Sequence, residues 1–186
     1  MRYYIIAGEP SGDLHASNLI KSIIKRDDAA QIRAMAGDLS REAGAELYRH
    51  YKDTAVMGIV EVVKKAGKIL NNLSDCKRDI LQFNPDVIIL VDYPGFNLKI
   101  AKFAKSRGIK VFYYIAPKVW AWKEHRVKEL RKYVDRLYII FPFEKEYFTQ
   151  RGVEAIYLGN PLADLESMDT NESIEDANLN NASDKI

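Results

Sequence analysis

Four short segments hold residues whose types and spacing suit chemistry on a small ligand. The first is Gly8-Glu9-Pro10-Ser11-Gly12-Asp13, which follows a short apolar run and opens a helical pattern. Its two glycines let the backbone turn sharply and approach a ligand, and a helix start presents amide N–H groups suited to an anion. No Gly-Lys-Ser/Thr follows, and the spacing matches neither G-x-G-x-x-G nor the G-x-S-x-G elbow of hydrolases. The purely structural alternative is that Ser11 or Asp13 caps the helix. The second segment is Asp92-Tyr93-Pro94-Gly95-Phe96-Asn97, directly after the run DVIILV. A carboxylate at the end of a buried strand has a rigid mount on which a general base can be held. Its bland role is an Asx-turn or a cap before Pro94.

The third segment, Ala116-Pro117-Lys118-Val119-Trp120-Ala121-Trp122, carries both tryptophans of the chain. Trp120 and Trp122 suit stacking on a sugar or packing on an acyl chain, or equally a plug at the end of the sheet. Beyond them, Lys123, Arg126 and Lys128 read as a solvated face from which Arg126 can reach a phosphate. The fourth is Met57–Leu73. On a helical projection Ile59, Val62, Val63, Ala66, Ile69, Leu70 and Leu73 fill an arc of roughly 120°, with Glu61, Lys64, Lys65 and Lys68 opposite. Such a stripe packs on its own core or lies on an anionic membrane surface.

Other chemistries find less support. His15, His50 and His125 lack metal-ligand spacing and no acidic cluster resembles a cation cage, so no metal is expected. Ser11, Asp13 and His15 are too close along one helix start to converge as a triad. The basic residues do not form a block interleaved with aromatics, so no nucleic-acid partner is expected.

The elements that must position these segments alternate. Tyr3–Ala7, Ile32–Ala36, Asp86–Val91, Lys110–Ile115, Arg136–Phe141 and Ala155–Leu158 read as strands. Leu14–Lys25, Ser40–Tyr51, Met57–Leu73, Asn97–Ser106, Lys123–Tyr133 and Glu144–Gln150 read as helices. The almost wholly apolar DVIILV fits a strand buried on both faces of a parallel sheet. The pattern predicts an α/β fold with right-handed crossovers, whose ligands gather at the carboxyl ends of the strands.

The chain has 186 residues and 47% hydrophobic content, enough for one real core. Its single cysteine, Cys76, excludes a disulfide framework. The net charge of +2 hides a split. Residues 164–186 carry seven acidic residues and one basic, whereas residues 1–163 carry 27 basic, 19 acidic and every Trp, Tyr and Phe. We therefore expect a basic, aromatic-rich domain over 1–163 and an acidic connector or disordered tail over 164–186.

In order along the chain, AGEPSGDLHASNLI, AVMGIVEV, PDVIILVDYPGFN, PKVWAW with Arg126-Val127 beyond it, FPFEK and GNPLAD resemble the lipid-A-disaccharide synthases. The resemblance implies a Rossmann-like domain, the N-terminal half of a GT-B glycosyltransferase, with no cofactor. Its reaction would transfer 2,3-diacylglucosamine from the UDP donor to 2,3-diacylglucosamine 1-phosphate with inversion, on the cytoplasmic side of a Gram-negative inner membrane. Carried onto this chain, the resemblance makes Asp92 the base, because Gly95 stands where some members have a second acidic residue. Glu9, Ser11, Gly12, Asp13, Trp120, Trp122, Arg126 and Asn160 would contact substrate. Met57, Ile59, Val60, Val62 and Val63 would face acyl chains or the membrane. The family's second domain, with its Gly-Ser-Arg loop, has no counterpart in these residues, so the chain alone is expected to be inactive. A noncatalytic acceptor-binding domain and another sugar-nucleotide enzyme, such as an epimerase, are the alternatives.

Overall fold

The computed structural model describes residues 1–54, 62–118 and 125–161. The chain begins with β1 (Arg2–Ala7), α1 (Pro10–Ile24), β2 (Gln31–Ala36), α2 (Asp38–Glu42), β3 (Glu46–His50) and α3 (Tyr51–Thr54). It continues with α4 (Val62–Phe83), β4 (Val87–Val91), α5 (Pro94–Ser106) and β5 (Lys110–Tyr114). After residue 124 come α6 (His125–Tyr133), β6 (Arg136–Ile139), α7 (Pro142–Thr149) and β7 (Ala155–Tyr157).

All strand pairs are parallel, in the order β3-β2-β1-β4-β5-β6-β7. The period-2 alternation of each strand divides its side chains between two cores. Tyr4, Ile6, Ile88, Leu90, Val111 and Tyr113 face one core with residues of α4, α5, α6 and α7. Ile5, Ala7, Val87, Ile89 and Val91 face the other, where Ala16 and Ile20 of α1 pack. Burial of every residue of β4 therefore follows from its central place in a covered parallel sheet.

Two helical readings need correction. The stretch Ser40–Tyr51 is not one helix: α2 ends at Glu42, and Gly44, with φ of +107°, turns the chain into β3. A left-handed glycine just past a helix end stops it, and the freed residues extend the sheet by pairing with β2. The amphipathic helix also runs further than expected. Residues 55–61 lie outside the described part, and α4 runs from Val62 to Phe83, ten residues beyond Leu73. Leu73, Cys76 and Ile80 make its buried stripe, while Leu70, placed on the apolar arc by projection, is 59% exposed. The helix is anchored by a polar cluster under the sheet: Arg33 reaches Asp79 at 2.7 and 2.9 Å, and the buried Tyr4 hydroxyl donates to Asp79 at 2.8 Å. Burial, followed by Cys76 and Asp79, pushes the Tyr4 hydroxyl far above its ordinary pKa. Burial likewise pushes the Cys76 thiol up to about 12, leaving it an inert core group.

From β1 the chain winds outward to β2 and β3, then returns through α4 to β4 and winds the other way. The reversal lies between β1 and β4, the place where such sheets open a crevice at their carboxyl ends.

Candidate functional site

Three strand ends meet at this crevice. After β1 the chain makes its turn at Gly8 and enters α1 with Glu9 as an extended N-cap and Pro10 in the first turn. A β-carbon on Gly8 would stand 2.4 Å from the Tyr93 ring, so only glycine lets the β1 and β4 loops close on each other. Glu9 and Ser11 are exposed at this helix start.

After β4 the backbone adopts an uncommon conformation. Asp92 and Tyr93 both have positive φ, 41° and 47°. Such residues cost on the order of 1–3 kcal/mol each and cluster at functional sites. Tyr93 also precedes Pro94, which disfavours helical conformations at the preceding residue. The turn persists because it is held from below. Asn97 Nδ2 donates to the carbonyls of Asp92 (2.7 Å) and Val91 (3.2 Å), and the Tyr113 hydroxyl donates to the Asp92 carbonyl at 2.5 Å. Asn97 Oδ1, meanwhile, is buried without a partner among the described residues. A polar atom stranded this way typically costs about 1–3 kcal/mol. After β5, Ile115 is also left-handed, with φ of 64°, a rare state for a β-branched residue. It leads through Ala116 and Pro117 to Lys118.

The electrostatics converge on the Asp92 carboxylate. Its residue surface is largely open to solvent, yet the surrounding protein hinders hydration of the carboxylate enough to raise its pKa. The Glu9 carboxylate raises it further, while the Tyr93 amide and Lys118 pull it down. The Tyr93 hydroxyl is raised by burial and by Glu9. That of Tyr113 is raised by burial and by Asp92, and lowered by Arg126. Asp92, Glu9, Lys118, Tyr113 and Arg126 thus form one electrostatic neighbourhood across β1, β4, β5 and α6. An aspartate with a raised pKa at the mouth of a crevice is suited to accept a proton from a hydroxyl. Among the described residues no cluster of three or more His, Cys, Asp or Glu side chains is placed to hold a metal ion.

Two expected ligand contacts are turned inward. The Asp13 carboxylate is 3% exposed and accepts from the amides of Gly37 (2.8 Å), Leu39 (3.1 Å) and Ser40 (3.2 Å) and from the Ser40 hydroxyl (2.5 Å). It caps α2 across the sheet edge, so its acceptor capacity is spent inside the fold. Gly12 is buried, and a β-carbon there would lie 3.4 Å from that of Ala7, so it seats α1 against β1. Asn160 lies past β7, three strands from β4, or roughly 14 Å along the sheet. Its neighbours Gly159 and Pro161 line a small cleft of about 150 Å³ with Tyr114, Ile115, Tyr138 and Leu158. Met57, Ile59, Val60, Trp120 and Trp122 lie outside the described residues. Val62 and Val63 open α4, but their side chains are likewise outside the described part.

Lys118, Asn97 and Tyr113 were not singled out by the sequence. Lys118 sits in the tryptophan segment, where the two indoles are the stronger signal. The other two act through the backbone of Asp92, which no local pattern betrays.

The model of the family described as lipid-A-disaccharide synthetase matches residues 3–185. The chain belongs to that family. Curated lipid-A-disaccharide synthases from Trichlorobacter lovleyi and Geobacter metallireducens are 42% and 44% identical over 164 and 163 residues. Each alignment covers 88% of this chain but only 43% and 42% of the relative. The chain thus spans less than half the length of these curated relatives. The fold is also that of a UDP-GlcNAc 2-epimerase from Methanocaldococcus jannaschii, with a TM-score of 0.64 at 17% identity. That superposition covers 86% of this chain and 47% of the epimerase. The seven-stranded sheet is the Rossmann-like half of a GT-B architecture. At such identity the likeness concerns the fold alone and does not favour an epimerase over a synthase.

Proposed function

We propose that this chain is the acceptor-side half of a lipid-A-disaccharide synthase. The complete enzyme would transfer 2,3-diacylglucosamine from its UDP donor to 2,3-diacylglucosamine 1-phosphate, inverting the anomeric centre. The carrying observation is Asp92: a carboxylate with a raised pKa, on a strained turn at the topological switch point. In this reading Asp92 takes the proton of the acceptor 6-hydroxyl as its oxygen attacks the anomeric carbon in line and UDP departs. Glu9 raises the proton affinity of Asp92, and Ser11 with the first amides of α1 contacts a phosphate or hydroxyl. Arg126 and Lys118 supply positive charge near the acceptor phosphate. Trp120 and Trp122, with Met57, Ile59, Val60, Val62 and Val63, would take the acyl chains or the membrane surface, and Asn160 would contact substrate from beyond β7.

A phosphorylated lipid at the inner-membrane surface suits the basic character of residues 1–163. A groove of about 380 Å³ lined by His125, Lys128, Arg131 and Arg151 adds to that character. Residues 1–163 would form the acceptor domain and 164–186 the connector to a nucleotide-gripping domain. A second reading is that the chain binds acceptor without transferring sugar. Titration calorimetry tests the shared part. The chain should bind 2,3-diacylglucosamine 1-phosphate in preference to UDP, and a preference for UDP overturns the acceptor-side assignment. Supplying the remaining half of a relative separates the two readings: disaccharide formation that is lost in Asp92→Asn supports the synthase.

A further inference from the structure

The β4–α5 turn is built in an unusual way. Two successive non-glycine residues, Asp92 and Tyr93, are left-handed, and the second precedes a proline. Glycine would make the same turn without steric opposition. The chain instead keeps a carboxylate at the first position and an aromatic ring at the second, where the ring covers Gly8 and stacks on Phe96 with centroids 5.6 Å apart. Conformations of this kind persist only where the surroundings over-determine them.

The surroundings here are two side chains aimed at one atom. The Asp92 carbonyl oxygen accepts from Asn97 Nδ2 at 2.7 Å and from the Tyr113 hydroxyl at 2.5 Å, which fills both its lone pairs. The same Asn97 amide reaches the Val91 carbonyl at 3.2 Å, tying the turn to the last residue of β4. Both donors are fully buried, and they come from α5 and β5, elements with little freedom to move. The amide orientation is fixed by its targets, since a flipped Asn97 would set its oxygen against two carbonyl oxygens. That orientation leaves Oδ1 without a partner among the described residues.

We propose that Asn97 and Tyr113 are positioning residues: by gripping the Asp92 carbonyl from two sides they hold the left-handed turn and thereby fix the Asp92 carboxylate in the crevice. The proposal rests on the reading of Asp92 as the base. Neither residue reaches the reacting atoms; both act through the Asp92 backbone. Without the grip, the turn relaxes toward ordinary φ, and the carboxylate moves away from Glu9 of the β1 loop and Lys118 of the β5 loop.

The test is a carboxyl-carbon NMR titration of this chain labelled at aspartate, with the Asp92 signal assigned by its loss in Asp92→Asn. In Asn97→Ala and in Tyr113→Phe the Asp92 midpoint should fall toward the ordinary aspartate range, while that of Asp27, paired with the N-terminal amine at the opposite end of β1, stays in place. A loss of global stability alone would lower the melting temperature and leave the Asp92 midpoint of the folded protein unmoved. An unmoved midpoint in the folded variants overturns the proposal. Should Asn97→Ala fail to fold, Tyr113→Phe decides, since it removes one hydroxyl and keeps the ring. Failure of the base reading is separable: turnover retained by Asp92→Asn, in an enzyme completed with a relative's second half, would remove the base but leave the titration result standing.

Discussion

Asp13 offers the sharpest test of how scaffold and site divide. The perturbation is Asp13→Asn, with Asp13→Ala beside it. In the parent, one carboxylate oxygen accepts from the Gly37 amide, the Ser40 amide and the Ser40 hydroxyl, and the other accepts from the Leu39 amide. Asparagine keeps an oxygen for the first three donors, but its NH₂ then faces the Leu39 N–H, donor against donor. Losing that bond and the charge assistance to the others should cost about 2 kcal/mol. Alanine strands all four donors. At about 1–3 kcal/mol each they would sum to more than the fold can lose, but the loop relaxes and networked effects do not add, so about 4 kcal/mol is expected. In urea, with a slope of about 2 kcal/mol/M, the midpoint should fall by about 1 M for Asn and about 2 M for Ala. Acceptor binding, measured on folded Asp13→Asn, should match the parent. A midpoint within about 0.2 M of the parent at unchanged slope would show that the network carries little weight. Loss of binding without loss of stability would return Asp13 to the substrate.

Gly8→Ala sets a β-carbon against the Tyr93 ring, so it should lower stability by about 1–3 kcal/mol and displace the ring, seen as a shifted Tyr93 signal in aromatic NMR. Asp92→Asn should stabilise the fold at neutral pH, with the gain shrinking in acid. The folded Asp92 carboxyl has a raised pKa, so the native state binds more protons than the unfolded one across that window, and stability falls as pH rises through it. Urea midpoints of both proteins at acid and neutral pH check this, and a gain equal at both would remove the linkage, leaving only asparagine's ease in left-handed backbone. Glu9→Gln should lower the Asp92 midpoint and Lys118→Ala should raise it, both read by carboxyl NMR. Unmoved midpoints would mean that these side chains point away from the crevice.

How much of this was legible in the sequence depended on whether the signal was local. The apolar run DVIILV announced a doubly buried strand because burial on both faces leaves no room for polar alternation, and β4 is buried throughout. The position of Asp92 follows by the same logic, since a carboxylate directly after such a strand emerges at the carboxyl end of the sheet. Ser40–Tyr51 misled because Leu47 and its neighbours suit a helix as well as an edge strand, and only pairing with β2, a non-local contact, decides between them. Asp13 misled in the opposite direction. It sits in a glycine-rich loop beside the crevice, but its carboxylate is claimed by amides of residues 37–40, brought there by the β2–α2 connection. Asn97 and Tyr113 were invisible for a further reason. They donate to a backbone carbonyl, so the group they serve has no side-chain identity, and the left-handed turn they hold lies before a proline, where sequence rules argue against it. The motif thus discloses which carboxylate stands at the strand end, while the atoms that grip its backbone lie in the packing between β4, α5 and β5.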